Sequence, residues 1–303
     1  MQVAVIVNPV AGIGVERSAA MRRIRRAGDL LAVHGPVGEV LPTEGPGHAR
    51  ELALGAVGRG ARVVVAWGGD GTVNEVASAL AFTAVPLGIV PSGSGNGLAR
   101  ELRLPPTVDA AFAVALRGGE RRIDVGEIEG RLFVNVAGVG FDAEVARAFA
   151  DGSGGRGFAH YARVTLRELR RYTPSEYTVT TDTGETRVRA LTIAIANGRQ
   201  YGNGATIAPN ARLDDGRLDL VVVRARSRWL ALAQIPRLFL GGIERASGVR
   251  MEIIDEVRIG STTGLACHVD GEPFSSRGPI LARVRPGALL VRVGTVSQAT
   301  GSA

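Results

Sequence analysis

Short apolar runs rich in β-branched residues alternate with amphipathic segments through the first third of the chain. Val3 to Val7 and Val63 to Val65 have the composition of buried strands, because continuous apolar runs of this length suit a sheet covered on both faces. The segments that follow have helical spacing, and we predict helices at Val15 to Ala27, after Pro46 and Gly47, and at 107–117. This alternation predicts a mostly parallel sheet with helices on both of its faces.

Three glycine-containing turns follow predicted strands of this half, at Asn8 to Gly14, Gly68 to Gly71 and Gly93 to Gly97. Ligands of such sheets bind at the carboxyl ends of the strands, so we expect the three turns to converge on one site. Glycine lets the backbone adopt left-handed conformations and lets a ligand approach closely, and free N–H groups at a helix N-terminus favour phosphate. The pattern therefore predicts a phosphate-binding site at this edge of the sheet.

The second of these turns carries an acid among its glycines. Asp70 would repel a phosphate unless a divalent cation lay between them, so the turn predicts a nucleotide-phosphate site with magnesium. The alternative is a tight turn whose Asp70 faces solvent. Directly after the turn, Thr72 and Glu75 have the spacing of a capping box, which predicts a helix with Thr72 as its N-cap.

From Gly118 onward, strands follow one another with few helices between them. We predict strands at 122–128, 132–137, 177–181, 187–196, 217–223, 250–259 and 288–293. Two helical inserts are predicted at Gly157 to Arg171 and Arg228 to Ile243. Such a run of strands predicts an antiparallel β-sandwich. We therefore expect an α/β nucleotide-binding domain at 1–121 and a β-sandwich domain at 122–303, with a C-terminal strand that can return to the first domain.

Composition narrows the chemistry further. The 303 residues carry 36 basic side chains, and all of them are arginine, which excludes a P-loop lysine and a lysine general base. The net charge of +7 suits an anionic lipid surface or nucleic acid, but no nucleic-acid-binding module is evident. Cys267 is the single cysteine, so no disulfide framework is expected. No apolar run reaches the length of a membrane span, and we expect a cytoplasmic protein.

The order of motifs along the chain resembles the diacylglycerol kinase catalytic-domain family, the soluble bacterial lipid kinases related to diacylglycerol, sphingosine and ceramide kinases. The matching segments span nearly the whole chain. They are NPVAG (8–12), TEGPGHA (43–49), WGGDGTVNEV (67–76), PLGIVPSGSGNGLAR (86–100), GFDAEV (140–145), NGRQYGNGATIAPNARLDDGRLDLVVV (197–223) and HVDGEPF (268–274). The resemblance implies an ATP- and Mg²⁺-dependent lipid kinase, with its site in the cleft between the two domains.

The resemblance also implies roles for individual residues. Those expected to contact ATP are Asn8, Pro9, Gly12, Thr43, Gly68, Gly69, Asp70, Gly71, Thr72, Asn74, Ser94, Gly95, Asn96 and Glu272. Asp70 is expected to reach the catalytic magnesium. The carboxylate of Asp215 and the carbonyls of Arg212 and Arg217 are expected to hold a second, structural magnesium. Asp270 and Glu272 match the residues that would take the proton from the lipid hydroxyl.

The acceptor is left open. Bacterial diacylglycerol kinases commonly have Asp and Phe where this chain has Gly97 and Leu98, and the form found here is more similar to sphingosine kinases. Diacylglycerol or a related lipid is the expected acceptor, with a sphingosine-like lipid as the alternative. A kinase of a soluble substrate similar to NAD kinases, and a nucleotide-binding regulatory protein without catalysis, are the remaining alternatives.

A lipid kinase must meet its substrate at a bilayer, and residues 226–245 combine Trp229 and Phe239 with four arginines. This composition suits an interfacial helix at the inner membrane surface. The alternative is a helix packed on the sandwich with an arginine rim, and Pro236 would kink a simple amphipathic face. We expect lipid and ATP as partners and no nucleic acid, and a homodimer is left open.

Overall fold

The computed structural model of the protein describes residues 2–11, 17–34, 37–151, 158–226 and 228–294. Its first half is a four-stranded parallel sheet in the order β2-β1-β3-β4 with helices between the strands. The elements are β1 (Val3–Val7), α1 (Arg17–His34), β2 (Gly38–Pro42), α2 (His48–Gly58), β3 (Val63–Gly68), α3 (Asp70–Leu80), β4 (Leu87–Pro91), α4 (Gly97–Glu101) and α5 (Val108–Arg117).

Side-chain alternation along the buried strands gives this sheet two apolar faces. Every residue of β1 is buried, and Ala4 and Ile6 pack in one core whereas Val3, Val5 and Val7 pack in the other. β3 divides between the two cores in the same way. Burial on both faces explains why the strands are continuous apolar runs, and it requires helices on both sides. The predicted α/β class of this half is confirmed.

In its described residues, the second half consists mainly of antiparallel strands with three helices. Its strands are β5 (Gly119–Ile128), β6 (Arg131–Phe133), β7 (Val136–Gly140), β8 (Ser175–Thr181), β9 (Gly184–Ala196), β10 (Leu218–Arg224), β11 (Val249–Ile254), β12 (Glu256–Gly260), β13 (Leu265–Val269), β14 (Glu272–Ser276) and β15 (Ile280–Val293). Its helices are α6 (Phe141–Asp151), α7 (Phe158–Arg171) and α8 (Arg228–Leu240), followed by a 3-10 turn at Ile243–Arg245. The predicted sandwich-like second half is confirmed.

Two predicted strands are each broken in the structure. The strand predicted at 132–137 is β6 and β7, separated by Val134 and Asn135, and the strand predicted at 250–259 is β11 and β12, separated at Asp255. The helix predicted at Val15 to Ala27 extends to His34, and its first predicted residues lie outside the described ones. α6 and the β13–β14 hairpin were absent from the predicted elements.

The last strand joins the two halves into one continuous sheet. β15 pairs antiparallel with β5 and β12 of the second half, and Val291 pairs parallel with Leu87 of β4. Its register shifts between Arg285 and Leu289, where Pro286 and Gly287 interrupt the ladder. One continuous sheet therefore runs through both halves.

Candidate functional site

A cleft of about 760 Å³ opens at the carboxyl ends of β1, β3 and β4, between the parallel half and the second half. Its lining includes parts of all three glycine turns: Asn8, Ala11, Gly69, Asp70, Gly71, Thr72, Gly93, Ser94 and Gly95. The second half contributes Asn135, Asp142, Tyr201, Asn203, His268 and Asp270, among others. The structure thus brings together segments that are up to 263 positions apart, from Asn8 to Gly271.

Short contacts tie the three turns to one another. The side-chain amide of Asn8 donates a hydrogen bond to Thr72 Oγ1 at 3.1 Å, which joins the first turn to the second. A Cβ on Gly93 would lie 2.7 Å from the Cα of Gly69, so the second and third turns approach as closely as two backbones without side chains allow. The edge of the sheet is therefore a preassembled loop cluster.

Asp70 is the first residue of α3, and its carboxylate holds the third turn. One oxygen accepts the N–H of Asn96 at 2.9 Å, and the other accepts the N–H of Gly97 at 2.6 Å. Burial raises the pKa of Asp70, while these two N–H donors oppose the shift because they favour the ionised carboxylate. Each oxygen keeps a further lone pair, and Asp70 lines the cleft, so a cation-bound water can reach it.

The predicted capping box at the start of α3 is wrong. The N-cap is Gly69, and Thr72 lies buried within the helix, where it accepts the hydrogen bond from Asn8. Glu75 instead accepts the N–H groups of Gly47 at 2.8 Å and Ala49 at 2.9 Å. Glu75 therefore caps α2, whose own N-cap residue provides no side-chain acceptor.

Asp270 stands in a left-handed conformation, with φ of 46°, and its carboxylate accepts four hydrogen bonds. The donors are the N–H groups of Val134 (2.7 Å), Asn135 (2.9 Å) and Val136 (3.1 Å) and the side-chain amide of Asn74 (2.7 Å). Burial raises the pKa of Asp270, and the four donors act in the opposite direction. Asp270 therefore connects α3, the β6–β7 break and the β13–β14 turn.

Glu272 has different surroundings, although it is only two residues further along. The residue is solvent-exposed, and its Oε1 would lie 3.4 Å from a Cβ on Gly71 at the start of α3. Partial burial of the carboxylate raises the pKa of Glu272, as do the charges of Glu75 and Asp270, while Arg131 opposes the shift. A carboxyl group with a raised pKa is better matched to taking a proton near neutral pH.

The predicted nucleotide contacts divide into two sets. Asn8, Gly69, Asp70, Gly71, Thr72, Ser94 and Gly95 line the cleft. The described residues that lie outside the lining are Pro9, Thr43, Gly68, Asn74, Asn96 and Glu272. Asn74 donates to Asp270 and to the carbonyl of Leu132, and Asn96 bonds the backbone of Gly93, so both support the loops. Gly12 lies outside the described residues.

Three polar side chains that sequence reasoning missed form a cluster in the cleft. Asp142 Oδ2 accepts the hydroxyl of Tyr201 at 3.0 Å and lies 3.3 Å from His268 Nε2. The N–H of Gly271 donates to His268 Nδ1 at 3.3 Å, which leaves the imidazole proton on Nε2, facing Asp142. A Cβ on Gly138 would lie 2.0 Å from Asp142 Oδ2, so any larger residue here would displace this pair.

Apolar side chains continue the lining beyond this cluster. Ala146 and Phe149 come from α6, and Phe239 comes from α8. Phe239 is 39 % exposed, and the adjacent Leu240 is 86 % exposed. The cleft therefore combines polar loops suited to phosphate with an apolar wall that reaches the protein surface. The side chains of 228–233, including Trp229, lie outside the described ones.

The residues predicted for a second magnesium lie outside the cleft lining, in the turn before β10. Asp215 is exposed and accepts the N–H of Arg217 at 3.1 Å. Burial, together with the charge of Asp215, raises the pKa of Asp219 to about 6. Across the described ranges no group of three or more His, Cys, Asp or Glu side chains could hold a metal. Two carboxylates that repel each other, with the carbonyls of Arg212 and Arg217, are nevertheless oxygen donors of the kind magnesium prefers.

Two family models match the chain, and similar proteins align with most of its length. The family model described as Diacylglycerol kinase catalytic domain matches residues 2–128, and the one described as YegS C-terminal NAD kinase beta sandwich-like domain matches residues 135–293. A protein named Diacylglycerol kinase from Mycobacterium tuberculosis (strain ATCC 25618 / H37Rv) is 33 % identical over 298 residues, covering 96 % of this chain and 94 % of that protein. A Probable lipid kinase YegS-like from Chromohalobacter salexigens is 34 % identical, covering 89 % of this chain and 86 % of that protein.

Solved structures agree on the fold. A diacylglycerol kinase from Bacillus anthracis str. Sterne superposes with a TM-score of 0.75 at 20 % identity, covering 97 % of both chains. An NAD kinase from Archaeoglobus fulgidus in complex with ATP gives a TM-score of 0.55 at 13 % identity, covering 97 % of this chain and 94 % of that one. At these identities the likeness concerns the fold alone.

The fold and the two matched models define the class of two-domain kinases that act on lipids. The chain belongs to the diacylglycerol kinase catalytic domain family, with a YegS-type C-terminal domain. It is a lipid kinase, which is a phosphotransferase, and the family implies that lipid and ATP are its substrates. The predicted family and enzyme class are confirmed. Within the described residues, no helix is long and apolar enough to cross a membrane.

Proposed function

We propose that this protein transfers the γ-phosphate of ATP, with Mg²⁺, to a hydroxyl group of diacylglycerol or a related lipid. The observation that carries the proposal is the composition of the cleft. One wall consists of the three glycine turns around Asp70, and the other combines the polar cluster at Asp142 with Phe149 and Phe239. Such a cleft suits a substrate pair in which one member is a polyphosphate and the other has an apolar body.

The nucleotide lies against the glycine turns. Gly69 to Thr72 provide N–H groups at the start of α3, where the helix dipole favours negative charge. Ser94 and Asn8 offer side chains at the same edge. Phosphoryl transfer depends mainly on positioning and on charge stabilisation, and loops that are already tied together provide both before the substrate binds.

Magnesium bound near Asp70 would neutralise charge on the phosphates during transfer. The side chain of Asp70 would hold it through the lone pairs that Asn96 and Gly97 do not use. Asp215, with Asp219 and the carbonyls of Arg212 and Arg217, would hold a second ion that neutralises the carboxylate pair before β10. Burial and, after it, the charge of Asp215 raise the pKa of Asp219, and a cation bound between the two carboxylates would offset their repulsion.

Glu272 is the better candidate of the two acids for taking the hydroxyl proton. It is exposed next to the start of α3, and its carboxyl pKa is raised, in part by the charge of Asp270. The carboxylate of Asp270 already accepts four hydrogen bonds from N–H groups of the protein, so its principal acceptor positions are occupied. Asp270 then acts by positioning the loops, and its charge adds to burial and to the charge of Glu75 in raising the pKa of the Glu272 carboxyl.

The second wall suits the lipid. Asp142, Tyr201 and His268 offer hydrogen-bonding groups for a hydroxyl-bearing head group, and Phe149 and Phe239 lie where its chains would leave the cleft. The exposed Leu240 continues this apolar edge outward, which supports binding at a membrane surface through α8. We expect the Phe239→Ala variant to lose affinity for anionic vesicles, and unchanged co-sedimentation would contradict this.

Gly97 supports a sphingosine-like lipid as the second candidate acceptor. A Cβ on Gly97 would lie 3.1 Å from the side-chain nitrogen of Asn135, which lines the cleft, so glycine lets Asn135 pack closely against the third turn. An acid at position 97 would have to displace Asn135 and would add negative charge beside the cleft. The acceptor panel must therefore contain both lipid classes.

The test is phosphotransfer from labelled ATP with Mg²⁺ to diacylglycerol, monoacylglycerol, phosphatidylglycerol, sphingosine, ceramide and NAD. The assay compares wild type with Glu272→Gln and with the control Glu256→Gln, which changes an exposed acid of β12. We expect label in one lipid, a loss of about 10²- to 10⁴-fold in Glu272→Gln, and no change in the control. Label in NAD alone, or in none of these acceptors, would refute the proposal.

A further inference from the structure

Because the chain contains no lysine, positive charge in the cleft depends on arginine. All 36 basic residues are arginine, so a cationic side chain that binds a polyphosphate in this protein has to be a guanidinium. Among the residues that the structure describes, Arg23 is the one arginine in the cleft lining. It belongs to α1, which contains none of the predicted site residues.

The backbone of the first turn fixes the orientation of Arg23. Its Nη1 donates to the carbonyl of Asn8 at 2.8 Å and to that of Pro9 at 3.2 Å. Asn8 is in turn bonded to Thr72 at the start of α3. The guanidinium is therefore attached to the loop cluster around Asp70, and its orientation is set when the protein folds.

The charge of Arg23 is not paired within the described part of the chain. Both of its partners are neutral carbonyls, whereas Arg26, one turn further along α1, forms an ion pair with Asp109. Burial lowers the pKa of Arg23, but a guanidinium remains protonated at neutral pH. Arg23 is a half-buried cation with no carboxylate partner among the described residues, and an anion bound in the cleft would compensate for its burial.

We propose that Arg23 binds the phosphate chain of the nucleoside triphosphate, through the N–H groups that the two carbonyls do not use. This inference rests on the proposed use of ATP. A guanidinium has five N–H donors in a planar fork that matches phosphate oxygens, and two carbonyls leave several of them available. Because the side chain is held in advance, little rotamer entropy is lost when the phosphates bind.

Three variants separate the role of charge from that of loop support. They are Arg23→Gln, Arg23→Lys and the control Arg22→Gln, which changes an exposed neighbour on α1. The affinities for ATP, ADP and AMP are measured by calorimetry with each purified protein. We expect Arg23→Gln to bind ATP about ten- to a hundredfold more weakly and AMP less than about threefold more weakly, since the lost bonds are charge-assisted. We expect Arg23→Lys to recover part of the ATP affinity and Arg22→Gln to match wild type.

Equal weakening of ATP and AMP by Arg23→Gln would overturn the proposal, because it would show that Arg23 only supports the loop. Unchanged ATP affinity in Arg23→Gln, or no recovery in Arg23→Lys while thermal unfolding is normal, would also overturn it. Wild-type protein that binds ATP but phosphorylates none of the lipids would refute the lipid assignment and leave the role of Arg23 supported by the same titrations.

Discussion

Replacing Asp270 by Asn changes a carboxylate that serves four N–H donors into an amide that can accept from two of them. The other two donors then face the NH₂ group and lose their acceptor. A buried donor left without an acceptor costs about 1 to 3 kcal/mol, so two of them cost about 2 to 6 kcal/mol. The neutral side chain also removes the cost of burying a charge, and we expect a net loss of about 2 to 4 kcal/mol in the free energy of unfolding.

Urea unfolding of Asp270→Asn and Glu272→Gln, followed by circular dichroism, measures this loss. Glu272 is exposed, so its variant should stay within about 0.5 kcal/mol of wild type. Phosphotransfer activity should fall in both variants, but only Asp270→Asn should have a lower free energy of unfolding. An Asp270→Asn protein that is as stable as wild type would refute the argument that Asp270 holds the cleft together. A Glu272→Gln protein with full activity would refute its role as the proton acceptor.

Three further variants test other contacts. Glu75→Gln weakens the cap of α2, and we expect a loss of about 1 kcal/mol in urea unfolding. Gly138→Ala places a Cβ within 2.6 Å of both Asp142 and His268, so lipid phosphorylation should fall while calorimetry shows retained ATP binding. Burial and the charge of Asp215 raise the pKa of Asp219 from 3.8 to about 6, so in buffer without Mg²⁺ the stability of wild type relative to Asp219→Asn should decline as pH rises from about 4 to about 6. A flat difference over that range would contradict the raised pKa.

The first half of the fold was predictable because its signals are local. The runs at β1 and β3 are apolar throughout, which follows from burial on both faces, and glycine turns mark the ends of these strands. The edge at which parallel strands end is set by topology, so the meeting of the turns followed without any distance information. Asn8, Asp70 and Ser94, which come from the three turns, accordingly line the same cleft.

The errors arise where a backbone group bonds to a distant residue. The N–H groups of Val134 and Asn135 donate to Asp270, about 135 positions away, so they leave the ladder and split the predicted strand. Glu75 has the local spacing of a capping box but bonds to the start of α2, 26 to 28 positions earlier. Periodicity and capping rules describe short windows of sequence, and they do not include such partners.

The polar cluster of the second wall was missed for a related reason. Asp142, Tyr201 and His268 come from three separate segments, and each has an ordinary structural explanation when it is considered alone. One glycine in the sequence could have indicated this cluster. Gly138 lies inside a buried strand, where a missing side chain indicates a close neighbour. That neighbour is the Asp142–His268 pair.

Three acids in this protein share one structural role. Asp70 joins the second turn to the third, Asp270 joins α3 to the second half, and the buried Asp124 accepts the N–H groups of Gly216 and Gly287. Each carboxylate connects segments that are distant in sequence and border the cleft or the turn before β10. Loss of activity in a variant of Asp70 or Asp270 consequently has two physical sources, lost chemistry and lost loop geometry. The free energy of unfolding separates them, because a side chain that serves chemistry alone leaves it unchanged.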